Sequence, residues 1–107
     1  MTTVQVRRDE NGIHAIRVSG HAGFDQSGYD IVCSAASVLI TTCANALESV
    51  AQFQPVVHVS KRSTVIEVSL PEVLSPTQMH DAQIIMHTIL QGFDDIEAQY
   101  PRYLQII

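Results

Sequence analysis

Basic residues are scarce in this chain: six Lys and Arg stand against eleven Asp and Glu over 107 residues, a formal net charge of −5. Such a surface repels phosphate backbones, which argues against a general nucleic-acid binder and suits a cationic partner. Arg7, Arg8, Lys61 and Arg62 fall at hairpins and form no basic stripe. Two cysteines are too few for a disulfide framework, and there is neither a C-x-x-C pair nor a His/Cys cluster at zinc spacing. If Cys33 and Cys43 share one helix, roughly 15 Å of rise separates them, whereas a disulfide needs Cα atoms within about 7 Å. No run reads as long and apolar enough to span a bilayer. The first eight residues, Met1 to Arg8, lack the apolar centre of a signal peptide. These absences point to the cytoplasm, where thiols stay reduced. Repeats, linkers and low-complexity tracts are absent too, so residues 1–107 read as a single domain.

With 46% apolar residues the chain can build a sizeable core. Val4 to Arg8 and Ile13 to Val18 read as strands joined by an Asn11-Gly12 turn. In the second strand, His14, Ile16 and Val18 share one face, with Ile13, Ala15 and Arg17 on the other. A helix is expected from about Ile31 to Gln52, with Asp30 as its cap and Ile31, Ala35, Val38, Leu39, Ala46 and Val50 as its buried stripe. Its many Ala, Ser and Thr residues predict close packing against a neighbour. Val56 to Ser60 and Thr64 to Leu70 form a second hairpin. Ser75-Pro76 then opens a helix with serine as cap and proline at the first position. Along it Met79, Ala82, Met86, Ile89, Phe93, Ile96 and Tyr100 recur at spacings of three and four. Pro101 stops it, and Arg102 to Ile107 can add a short last strand. The expected fold is α+β, β-β-α-β-β-α-β, two helices covering one face of a mainly antiparallel sheet.

The chemistry concentrates in Gly20-His21-Ala22-Gly23-Phe24-Asp25-Gln26-Ser27-Gly28-Tyr29-Asp30-Ile31-Val32-Cys33. With Asp30 as cap, Cys33 sits in the first helical turn, whose dipole contributes about 0.3–1 kcal/mol to a nearby anion. That is too little to activate a thiol alone; an imidazolium from His21 adds the larger electrostatic effect. Gly23 and Gly28 let the intervening loop fold back, and Phe24 and Tyr29 can line a substrate groove or anchor the loop. Asp30 can cap the helix or orient His21; capping is the simpler role and leaves a Cys–His dyad. Ser37, one turn after Cys33, can bond the thiolate, a substrate carbonyl or a backbone carbonyl one turn back. Cys43 and the histidines at 14, 58, 80 and 87 read as packing or surface residues.

Gly20-His21-Ala22, Gly28, Asp30-Ile31-Val32-Cys33, then Ala36-Ser37, resembles the signature of the bacterial ribosomal-processing cysteine proteases, the Prp family. The chain's length, its element order and its Tyr100-Pro101-Arg102-Tyr103-Leu104 ending are similar as well. Ser34 departs from the alanine or other small residue expected there, but is itself small. The resemblance implies a cysteine endopeptidase that removes a short N-terminal extension from a large-subunit ribosomal protein (number twenty-seven) during ribosome maturation. It implies Cys33 as nucleophile and His21 as general base, with Asp30 and Ser37 in support. Residues 22–29, with Gly23, Phe24, Gly28 and Tyr29, would order around substrate, and the enzyme would be a cytoplasmic homodimer. No cofactor, metal, membrane or direct nucleic-acid partner is implied. Two alternatives remain: a non-catalytic ribosome-associated module that docks a peptide, and a redox sensor using Cys33, which would have no resolving cysteine in reach.

Overall fold

In a computed structural model of the chain, residues 1–20, 27–60, 62 and 64–107 are described, with residues 27–30 described by their backbone. Seven elements follow in chain order: β1 Thr2–Asp9, β2 Gly12–Ser19, α1 Ser27–Ser49, β3 Val56–Ser60, β4 Val65–Ser69, α2 Pro76–Gln99 and β5 Leu104–Ile106. The strands form one sheet in the order β3-β4-β2-β1-β5. Its neighbours are antiparallel except β1 and β5, which run parallel. The expected α+β order therefore holds, and the last strand makes the sheet mixed.

The Asn11-Gly12 turn forms as expected, with the Asp9 carboxylate accepting the Asn11 N–H at 2.8 Å. Strict alternation along β2 does not hold. The register passes from Arg7 opposite Ala15 to Arg8 opposite Ile13, which leaves His14 as an extra residue. Such a bulge reverses the alternation, so Ile13 joins Ile16 in the core, both at 1% exposure or less. Gln83 of α2 holds this irregular segment. Its amide nitrogen donates to the Ile13 carbonyl at 2.8 Å, and its amide oxygen accepts the Ile13 N–H at 2.8 Å. These are backbone groups that a bulged ladder leaves unpaired.

The start of α2 follows the expected signals. Ser75 accepts the Gln78 N–H, the Gln78 side chain returns to the Ser75 N–H, and Pro76 occupies the first position. This reciprocal capping satisfies donors with no partner inside the helix. Ala82, Met86, Ile89, Leu90 and Phe93 are buried along α2, with Met79, Ile96 and Tyr100 packed beside them.

The expected α1 stripe is displaced around the helix. Ile31, Val38 and Val50 are exposed by 53%, 64% and 65%, while Val32, Ala36, Ile40, Cys43 and Leu47 are buried. Both sets fit a helical period and differ by about one residue, or 100°. Because α1 is apolar over a wide arc, periodicity alone does not select the inward face. The close packing is present: a side chain at Gly92 of α2 would come within 2.9 Å of Leu39. The expected absence of a bilayer-length apolar run does not hold. Ile31–Ser49 is long and apolar enough to cross a bilayer by length and composition, with mean hydropathy 1.5. Here that segment lays Val32, Ala36, Ile40, Cys43 and Leu47 into the core.

Replacing Gln83 with alanine leaves the Ile13 N–H and C=O without these bonds. Thermal unfolding followed by circular dichroism should then show Tm lowered by roughly 5–15 °C.

Candidate active site

Helix α1 begins at Ser27, three residues before Asp30. Asp30 is therefore its fourth residue and not its cap, and Cys33 is its seventh, in the second turn. Nothing between Ser27 and Asp30 forbids helix; Gly28 costs only about 1 kcal/mol, and each added residue gains a backbone bond. The chemical consequence is direct. Only the first four N–H groups of a helix lack an intrahelical partner, so the Cys33 amide is not a free oxyanion donor. The dipole contribution also fades beyond the first turn.

What the second turn provides instead is a fixed seat. Val32 and Ala36 are buried on either side of Cys33 in sequence, and Cys33 itself is half-buried at the edge of the core. Its Sγ lies 3.8 Å from Oγ1 of Thr2, a side chain only 2% exposed. Thr2 is held from its other side, its N–H donating to the Tyr103 carbonyl at 2.8 Å, and it pairs with Leu104 in β5. A hydroxyl donates to a thiolate, so Thr2 supplies a built-in partner for the reactive form of Cys33. Sequence reasoning did not single out Thr2. Its signal was a hydroxyl on the inward face of a strand, two residues before fully buried Val4.

Cys33 opens into a cavity of about 350 Å³ lined by Thr2, Val18, Gly20, Ala36, Ser37 and Ile40 with residues of β3 and β4. Ser37 shares this cavity as expected from its spacing. It is exposed, and its hydroxyl has no hydrogen-bond partner among the described residues. Gly20 has φ +90°, and a side chain there would come within 2.3 Å of the Met1 carbonyl oxygen. Only glycine fits this close turn at the rim of the cysteine cavity. His21 follows it in sequence, and His21, Gly23 and Phe24 lie outside the described residues. Gly28, Tyr29 and Asp30 are described as backbone of α1. The other four histidines, His14, His58, His80 and His87, do not line the cavity. Among the described residues no cluster of three or more His, Cys, Asp or Glu could hold a metal.

Cys43 contrasts with Cys33. It is fully buried, and desolvation pushes its thiol from 9.0 up to about 12. The nine residues of α1 between them keep the two thiols apart, and both are free.

A family model described as Cysteine protease Prp matches residues 1–105 of the chain. The ribosomal processing cysteine protease Prp of Bacillus subtilis (strain 168) is 26% identical over 107 residues, covering 99% of this chain and 96% of that protein. The crystal structure of an essential ribosomal processing protease Prp from S. aureus in complex with a substrate peptide has the same fold. Its TM-score is 0.86 at 23% identity, with 100% of this chain and 98% of that chain covered. The S. aureus protease with a covalently linked product peptide superposes with a TM-score of 0.82 at 24% identity, covering 99% and 97%.

Two outcomes follow from these positions. Thr2→Val keeps the shape and removes the hydroxyl, so iodoacetamide labelling of Cys33 at fixed pH should slow roughly 3- to 10-fold, with Thr2→Ser restoring it. Cys43 binds its proton more tightly in the folded state. Its contribution to stability is therefore fully present below pH 9 and is lost as pH rises toward about 12. In urea titrations above pH 9, Cys43→Ala should flatten the fall of stability with pH by up to about 1.4 kcal/mol per pH unit.

Proposed function

The chain belongs to the Prp family of cysteine proteases, and from that premise we propose that it is the endopeptidase that removes the N-terminal extension of a large-subunit ribosomal protein. The observation that carries this reading is the half-buried Cys33 thiol, opening into a peptide-sized cavity and partnered by the Thr2 hydroxyl. The name of the Bacillus subtilis relative and the peptide complexes of the S. aureus protease support the substrate assignment. The net charge of −5 suits a cationic ribosomal substrate.

In this reading His21 is the general base. It is the one histidine of five that the described residues do not assign elsewhere, and Gly20, its neighbour in sequence, lines the cysteine cavity. His21 takes the proton from Cys33, and the thiolate attacks the scissile carbonyl carbon. The new C–S bond forms as the carbonyl π electrons move onto oxygen. Free N–H groups at the start of α1, ahead of Cys33, are the donors suited to that oxyanion. Collapse of the tetrahedral species breaks the C–N bond as the imidazolium protonates the leaving amine. Water, activated by the returned imidazole, then cleaves the thioester. Asp30 belongs to the supporting set as an orienter of His21, and Ser37 as a donor at the cavity wall. Gly23, Phe24, Gly28 and Tyr29 contact the peptide.

The enzyme acts in the cytoplasm, where Cys33 remains reduced. It acts as a homodimer, a reading supported by Ile31 and Val38, exposed on one side of α1 at seven-residue spacing. The redox alternative is disfavoured because Cys43, the other thiol, is fully buried.

Mass spectrometry of the ribosomal extension peptide should show one cut by the wild type. Cys33→Ala should abolish it, and His21→Ala should reduce the rate roughly 10²- to 10⁴-fold, with unchanged circular dichroism. Equal function of the Cys33→Ala protein would assign the chain to the peptide-docking alternative.

A further inference from the structure

The cysteine cavity does not end at Ile40. A second cavity of about 270 Å³ shares Ile40, Val59 and Ile66 with it and continues along α1 past Ala44 to Glu48. The floor where the two cavities meet is apolar, formed by Ile40, Val59 and Ile66. Val57 and Val59 of β3 lie opposite Val68 and Ile66 of β4 on the face turned to α1. Yet Val57 and Val59 are 45% and 55% exposed, because β3 is an edge strand beyond the reach of the helical layer. Edge strands that expose successive valines are uncommon in isolated chains and mark places where another segment packs.

Among the described residues, charge stands at one end of this groove. Among the described residues lining the two cavities there is no Lys, Arg or His, and Glu48 is the one acid. Glu48 is exposed and has no ion-pair partner among the described residues. It stands fifteen residues beyond Cys33 on α1, a rise of about 22 Å. An extended polypeptide covers that distance in about seven residues.

We infer that the groove between α1 and β3 is an extended specificity site that holds the substrate chain beyond the scissile bond, apolar side chains over Val57 and Val59, and a basic residue about seven positions away at Glu48. The inference rests on Cys33 being the nucleophile of a peptide-cleaving site. It deepens that reading by naming what the site recognises: an extended segment with aliphatic or aromatic residues followed by a cation. A short extension peptide ending next to the cut would bind less well than one that fills the groove. An exposed charge pair contributes modestly, so Glu48 tunes selection among basic sequences and the apolar floor supplies most of the binding.

The test uses two readouts on the full chain. Binding is measured by fluorescence anisotropy to the Cys33→Ala protein, and cleavage by mass spectrometry with wild type. The probes are extension peptides of ten residues on either side of the cut, with one lysine moved through positions five to nine, and peptides truncated to three residues. Filling the groove should tighten Kd at least 10-fold over the truncated peptide on one side of the cut. A lysine near position seven should add about 2- to 5-fold, an increment removed by Glu48→Gln and by 0.5 M salt. Val57→Asp, at an already exposed position, should weaken the long peptide 10-fold or more and leave the truncated one unchanged.

Cleavage with no dependence of either readout on Val57 or peptide length overturns the groove while keeping the protease. Groove-dependent binding with no cleavage keeps the groove and overturns the protease. Peptide binding unaffected by Val57→Asp, with a change of oligomeric state in that variant, would give the groove to a second copy of the chain and overturn the inference.

Discussion

The burial of one face of α1 sets where Cys33 and Ser37 stand in the site. Val32, Ala36, Ile40, Cys43 and Leu47 form a continuous inward stripe in contact with the rest of the core. Residues on a helix cannot move independently, so this stripe fixes the rotation of α1. Cys33 lies about 100° from Val32 around the helix and therefore falls at the edge of the core. Had Ile31 and Val38 faced inward instead, the helix would have turned by about one residue and the thiol would have met different neighbours. Gly92 of α2 lets the helices approach closely, since a side chain there would meet Leu39 of α1.

A second constraint comes from the sheet. Thr2 stands at the start of β1, and Gly20 follows the end of β2, so antiparallel pairing brings both to one end of the sheet. Parallel pairing of β5 with β1 covers that end from the other side and gives the Thr2 N–H a partner in the Tyr103 carbonyl. Thr2 is thus fixed by backbone before its hydroxyl meets the Cys33 sulfur. The two strands and α1 are distant in sequence, and their convergence brings the Thr2 hydroxyl against the Cys33 sulfur at the cavity.

Some of this is legible in the order of residues. Ser75-Pro76 with Gln78 announces the start of α2, because capping depends on three or four adjacent residues. The spacing of Ala82, Met86, Ile89 and Phe93 identifies the inner face of α2, although Ile84 on the outer side is 55% exposed. Local reasoning fails for α1, whose apolar arc is broad enough to permit two orientations and whose first turn starts three residues ahead of Asp30. It also fails at His14, where the bulge depends on pairing with β1. The place of Cys33 near the start of α1 is readable from sequence, as is Ser37 beside it by helical spacing, while His21 lies outside the described residues. Thr2 is not, because a contact across 31 residues leaves no periodic trace.

The central claim is that the Cys33 sulfur becomes covalently bound to the substrate acyl group. Acid-quenched single-turnover reactions, read by intact and peptide-level mass spectrometry, test this most directly. A transient adduct with the mass of the N-terminal product, less one water, should form on Cys33 and decay as free product appears. Product formation without any Cys33 adduct, or an adduct on another residue, would contradict it.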